Sequence, residues 1–182
     1  MTKTSSILKS FIVIPMIATS LSLSSFTAGV DQFVAAKADD QALSIEAKAL
    51  QLEREEKATK IDAYYGRHDL PLTGYGMKMV LAGEKYGVDP FLIAGLAMRE
   101  STAGKRIPKG SYNAFGWGNA KFESFDHAID TVAKNLGGHN EKTAHYYKNK
   151  SVEKVLKTYN SVIPTYTSEI LSIMKRIDQM PV

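Results

Sequence analysis

The stretch from Asp89 to Ser101 constrains this chain more than any other. Asp89-Pro90 is a helix start. Aspartate accepts from the first free amides, and proline suits the first helical position, where its missing N–H would have had no partner. Phe91 to Met98 is then apolar on nearly every side of a helix, so that helix has to sit inside the domain. Glu100 closes the segment, and counting back by helical spacing puts Ala97, Leu96 and Ile93 on its face.

The elements that wrap this helix read as further helices. Met77, Val80, Leu81 and Glu84 mark one, ended near Gly87. Ser124 caps another, whose face is Phe125, Ala128, Ile129, Val132 and Leu136 and which Gly137-Gly138 stops. Ser151 opens a third. Pro164 precedes a last one with the stripe Tyr166, Ile170, Ile173, Met174 and Ile177. Between them, Thr102 to Phe122 is Gly-rich and carries Lys105, Arg106, Lys109 and Lys121 with Tyr112, Phe115, Trp117 and Phe122. It reads as a loop or short hairpin. The predicted fold class is mainly α, in one domain over residues 61–182.

Ahead of that domain, residues 39–60 hold no Gly or Pro and read as a charged helical spacer, with Glu53/Lys57 and Glu56/Lys60 at i,i+4 spacing. The apolar stripe Leu43, Ala47, Leu50 is thin, so a solvated spacer reaching roughly 30 Å is expected, with a weak coiled coil as the minor alternative. Residues 1–38 have the pattern of an export signal. Lys3 and Lys9 precede an uncharged run from Phe11 to Val30, and Ala36-Lys37-Ala38 offers small residues for cleavage. The run over 11–30 is also near the length of an uncleaved membrane anchor. Either way the rest is expected outside the cytoplasm, at the cell envelope or beyond.

Composition removes several chemistries. No cysteine means no disulfide, no Cys-ligated zinc and no thiol catalysis. The four histidines (His68, His127, His139, His145) fit no zinc-binding His-Glu-x-x-His pattern. There is no Gly-rich phosphate loop and no Gly-x-Ser-x-Gly, so no metal or cofactor is expected. The net charge of +4 favours polyanions, but no dense basic run with interleaved aromatics points to nucleic acid.

Glu100 is the chemistry-bearing residue. A carboxyl on that apolar face is partly desolvated, which raises its pKa, as a general acid near neutral pH requires. The competing reading is a helix-end residue paired with Arg99 or Arg106. Ser101 is placed either to bond that carboxyl or to start a turn. Asn113-Ala114-Phe115-Gly116-Trp117-Gly118 suits a sugar groove, because aromatic faces stack on pyranose rings, Asn bonds acetamido groups and Gly lets backbone approach a ligand. A Phe/Trp core plug in a Gly turn fits the same residues. Tyr159-Asn160 and Tyr166 bracket a loop from which a phenol can reach a groove. Asp126 reads as favourable first-turn charge.

Glu84 to Pro90, followed by the helix ending Arg99-Glu100-Ser101, resembles the opening of lysozyme-like peptidoglycan-cleaving domains, a superfamily that includes lytic transglycosylases and bacterial glucosaminidases. Asn113 to Gly118 resembles the glucosaminidase Asn-x-Phe-Gly motif, and Phe122 to Phe125 the segment after it. Tyr159-Asn160 resembles the Tyr-Asn that faces the acid. The resemblance runs from about Ile61 to Met180. Trp117-Gly118 stand near where the transglycosylase pattern has Gln, which favours the glucosaminidase side. The resemblance implies cleavage of β-1,4 bonds between N-acetylglucosamine and N-acetylmuramic acid in peptidoglycan strands. Glu100 is then the acid and Tyr159 the second catalytic group, with Ser101, Asn113, Phe115, Trp117 and Asn160 holding sugar. No second carboxylate is placed for a retaining or inverting pair, which points to the substrate's acetamido group or 6-hydroxyl as nucleophile. Alternatives are a lytic transglycosylase and a non-catalytic wall-binding or envelope-assembly module.

Overall fold

Every helix expected around Pro90–Ser101 forms, and each begins or ends on the signal that announces it. The computed structural model describes the backbone of residues 27–182 and side chains from Gln41 onward. The elements are α1 (Thr27–Gly66), α2 (Gly76–Tyr86), α3 (Pro90–Ser101), α4 (Phe125–Leu136), α5 (Ala144–Tyr147), α6 (Val152–Tyr159) and α7 (Tyr166–Asp178). The Asp89 carboxylate accepts from Phe91 N at 2.8 Å, and Ser124 Oγ from His127 N at 3.1 Å. The described residues contain no strand, so the mainly α class holds and the 102–122 segment is loop throughout. The short α5 carries no strong sequence signal.

The chain divides into units Met1–Leu43 and Ser44–Val182. Most of the expected signal or anchor, residues 1–26, lies outside the described residues, and the remainder of 1–38 falls in the first unit at the start of α1. Among the described residues no helix is long and apolar enough to cross a membrane.

In the second unit α3 is the centre, with Leu92 to Ala97 buried. It packs against α2, α4 and α7. Each Leu or Ile so enclosed contributes about 1.5–3 kcal/mol. Gly95 sets the distance to α7, since a Cβ there would come within 3.3 Å of Ile170 Cγ2. That approach brings the start of α7 over the end of α3. The C-terminal part of α1 also belongs to this core. Ala58, Ile61 and Tyr65 are buried, and Tyr65 Oη donates to the Ala94 carbonyl at 2.7 Å. The expected boundary at residue 60 therefore falls inside a helix whose inward face is already in place at Ala58. Upstream, Leu43, Ala47 and Leu50 are exposed, and the Glu53–Lys57 and Glu56–Lys60 pairs form at 2.6 and 2.8 Å.

Candidate active site

Glu100 stands on the last turn of α3, where the chain turns sharply. Thr102 and Ala103 are both left-handed, at φ 54° and 49°. Non-glycine residues rarely adopt that region unless surroundings hold them there. Ser101 supplies the hold. Its buried hydroxyl donates to the Ala114 carbonyl at 2.7 Å and accepts from Gly104 N at 2.8 Å. The serine thus clamps the end of α3 to the 102–122 loop, and so fixes where the neighbouring carboxyl lies.

The Glu100 carboxyl is half-buried and held from both sides. Tyr166 Oη, at the first residue of α7, donates to Oε1 at 2.5 Å. Oε2 lies against the loop backbone at Gly116, where an added Cβ would be only 2.6 Å away. Gly116 also has φ +61°, so glycine is required twice over. Among the described residues Glu100 has no ion-pair partner. Arg99 turns the other way, to Glu169 at 2.5 Å, with its guanidinium 5.8 Å from the centre of the Tyr166 ring. Neither Arg99 nor Arg106 forms an ion pair with the carboxyl, although Arg99 is near enough to feel its charge.

An aromatic wall continues from Tyr166. Tyr159 stacks on it at 6.2 Å and 11°, Trp117 lies 5.6 Å from Tyr159, and Tyr147 lies 6.2 Å from Trp117. Gly116, Trp117, Gly118, Tyr147 and Tyr159 line an open pocket of about 190 Å³. Burial first, and then the Glu100 charge, pushes the Tyr166 and Tyr159 hydroxyls well above the usual phenol range. Both stay protonated as donors.

The roles expected from sequence are redistributed. Tyr159 is at the site, but its hydroxyl donates to the Phe115 carbonyl, and Tyr166 is the phenol on the carboxyl. Phe115 is fully buried and presents no ring to a ligand. Asn113 is buried too; its Oδ1 accepts from Trp117 N at 2.9 Å and its amide donates to the Ala120 carbonyl at 3.1 Å. Asn160 caps the turn before α7, accepting from Val162 N and Ile163 N at 3.1 Å. Ser101, Asn113, Phe115 and Asn160 thus shape the loops with their own polar or apolar groups turned inward. Trp117 alone among the expected sugar contacts lines the pocket. Sequence reasoning did not single out Gly116 as the carboxyl's seat, nor Tyr147 as a wall of the pocket. Tyr166 carried a usable signal: a stripe residue on a buried face whose hydroxyl must find a partner.

The histidines are exposed, and no group of His, Asp or Glu among the described residues is placed to hold a metal ion. The arrangement is a single carboxyl, steadied by one phenol and packed on Gly116, which in turn lines an open aromatic pocket. It can exchange a proton with a group seated there. Comparison with family models, curated proteins and solved structures finds no match to this chain.

Proposed function

We propose that this chain is an exported, lysozyme-like peptidoglycan-cleaving glycosidase of the N-acetylglucosaminidase type, acting on β-1,4 bonds between N-acetylglucosamine and N-acetylmuramic acid. One observation carries the reading: the Glu100 carboxyl is fixed between the Tyr166 hydroxyl and the Gly116 backbone, and Gly116 opens onto a pocket walled by Trp117, Tyr147 and Tyr159. A glycan needs an aromatic face to rest on and an acid beside its bridging oxygen.

In this reading Glu100 protonates the leaving oxygen. Tyr166 holds the carboxyl's rotamer through Oε1, and Oε2, beside Gly116, is the oxygen on the pocket side. Tyr159 fixes the Phe115 carbonyl and stacks on Tyr166, so it positions rather than reacts. Trp117 carries a sugar face. Glu169 is not free to serve as a second carboxylate, because Arg99 and Thr165 hold its two oxygens. The substrate's acetamido oxygen or 6-hydroxyl then acts as nucleophile. The first closes an oxazolinium ring on C1 that water then opens to a reducing end. The second forms a 1,6-anhydro ring as its hydroxyl proton passes to the Glu100 carboxylate, giving the ends of a lytic transglycosylase.

The test is lysis of purified peptidoglycan by wild type and Glu100→Gln, with circular dichroism for folding and masses for the products. General acid catalysis supplies about 10²–10⁴ in rate, so the folded variant should lose at least that much. A folded Glu100→Gln with near-full activity sinks the assignment. A wild type that binds walls but never cleaves them puts the wall-binding module in its place.

A further inference from the structure

The loop that seats Glu100 also carries charge of one sign. Over Thr102–Phe122 the chain has four cations, Lys105, Arg106, Lys109 and Lys121, and no acid. The whole chain has 23 Lys and Arg against 19 Asp and Glu; setting these four aside leaves 19 against 19. All four are exposed, and among the described residues none pairs with a carboxylate. Some helix cations are neutralised locally, as Lys57, Lys60, Lys78 and Lys85 are, while others such as Lys154 and Lys157 are not; what sets the loop apart is that its cations have no acid within the segment.

The charges sit on a pinned frame. Phe122 N donates to the Ser111 carbonyl at 2.8 Å, which closes the loop on itself, and Asn113 staples its interior. Closure brings Lys121 and Pro108 to one pocket of about 250 Å³, which shares Gly118 with the pocket beside Glu100. A like-charged rim on a fixed loop repels itself and focuses an outside anion. Of the four cations Lys121 lines that pocket, and the others are spaced along the loop at Lys105, Arg106 and Lys109, a spread that fits a repeating anion rather than one carboxylate.

We propose that the 102–122 loop is a docking rim for a linear phosphodiester polymer carried by the wall, which runs beside the pocket that takes the glycan. The choice of polymer rests on the glycosidase reading; the rim's preference for a repeating anion does not.

The test measures binding of the full chain to poly(glycerol phosphate) at 50 and 200 mM salt, in wild type and in the variant with Lys105, Arg106, Lys109 and Lys121 all changed to Gln. Counterion release scales at about 0.7 per phosphate contacted on a single-stranded polyanion, so four contacts give roughly a 50-fold loss of affinity over that range. The loop variant should lose less than about threefold. A control changes Lys142, Lys150, Lys154 and Lys157 to Gln; these are exposed cations around α5 and α6 with Glu141 and Glu153 among them, and the variant should keep the wild-type slope. Walls stripped of phosphodiester polymer should hold wild type at least tenfold less. Equal loss of slope in the control variant overturns the proposal, because net charge alone would then explain binding. Tenfold tighter binding to single-stranded RNA of matched phosphate number also overturns it. Repeating the binding in Glu100→Gln separates the two readings. Loop-dependent binding kept in Glu100→Gln shows that the rim does not depend on the acid, whereas a wild type that binds through the loop but cleaves no wall leaves the rim standing and removes the glycosidase.

Discussion

Glu100 is held by two contacts that can be broken separately. Gly116→Ala places a Cβ 2.6 Å from Oε2 and puts a side chain at φ +61°. Gly118→Ala meets the same kind of backbone penalty at φ +50°, but its Cβ has nothing within 4 Å. Each left-handed alanine costs about 1–2 kcal/mol. Only the first displaces the carboxyl. The two variants should therefore melt within a few degrees of each other, while wall-lysis kcat falls at least tenfold further in Gly116→Ala. Equal kcat values would mean that the seat at Gly116 does not set the acid's position. Glu100 was legible in the sequence because it ends an apolar helix, a local pattern. Tyr166 was legible only as one of a stripe, since its partner lies 66 residues away and the α3–α7 crossing joins them.

The helices were legible element by element because their signals are local: Asp89-Pro90, Ser124, Gly137 and Pro164 each act within a turn or so of themselves. The 102–122 loop was not. Whether Asn113 faces a ligand or its own loop depends on the loop's path, and five backbone and side-chain bonds that close that path are invisible in residue order. Asn113 in effect replaces the strand pairing of a hairpin, with its amide donating to carbonyls and its oxygen accepting from Trp117 N. Asn113→Ala leaves those buried groups short of a partner and should cost about 1–3 kcal/mol. Asn113→Asp keeps the acceptor but turns a carboxylate toward the carbonyls of Trp117, Gly118 and Ala120, so it should be the more destabilising of the two at neutral pH. Chemical denaturation of both variants checks the order. If Asp proves milder than Ala, Asn113 is not stapling the loop in this way. The boundary of α1 was missed for a related reason: charge content marks residues up to Lys60 as spacer, but burial at Ala58 is decided by what packs there.

Across the Ser44–Val182 unit, three phenols tie separate elements together. Tyr65 joins α1 to the Ala94 carbonyl of α3, Tyr159 joins α6 to the Phe115 carbonyl, and Tyr166 joins α7 to Glu100. Burial is the main cause that pushes all three hydroxyls well above the ordinary phenol range, with neighbouring negative charge adding to it. In the unfolded chain each titrates near 10. A raised folded value means that the native state keeps protons the unfolded state gives up. The stabilisation is thus fully present below pH ~10 and declines as pH rises past it. Each such phenol approaches a slope of about 1.4 kcal/mol per pH unit above its unfolded value, and because about half of the unfolded groups are still protonated at pH 10, three together remove roughly 3 kcal/mol between pH 10 and 11. Against a typical domain stability of about 5–15 kcal/mol, that should lower the melting midpoint by roughly 10 °C or more. The spectroscopic signature is specific. Of the nine tyrosines, these three should stay dark in phenolate absorbance until the helices unfold, and then appear together with the loss of helical signal, with Tyr147, which burial also raises, as a fourth late group. In Tyr65→Phe one phenolate should leave that cooperative step and the alkaline slope should ease by about a third. Smooth titration of all nine near pH 10, with the helices intact, would show that these hydroxyls are open to solvent and do not hold α1, α6 and α7 to the core.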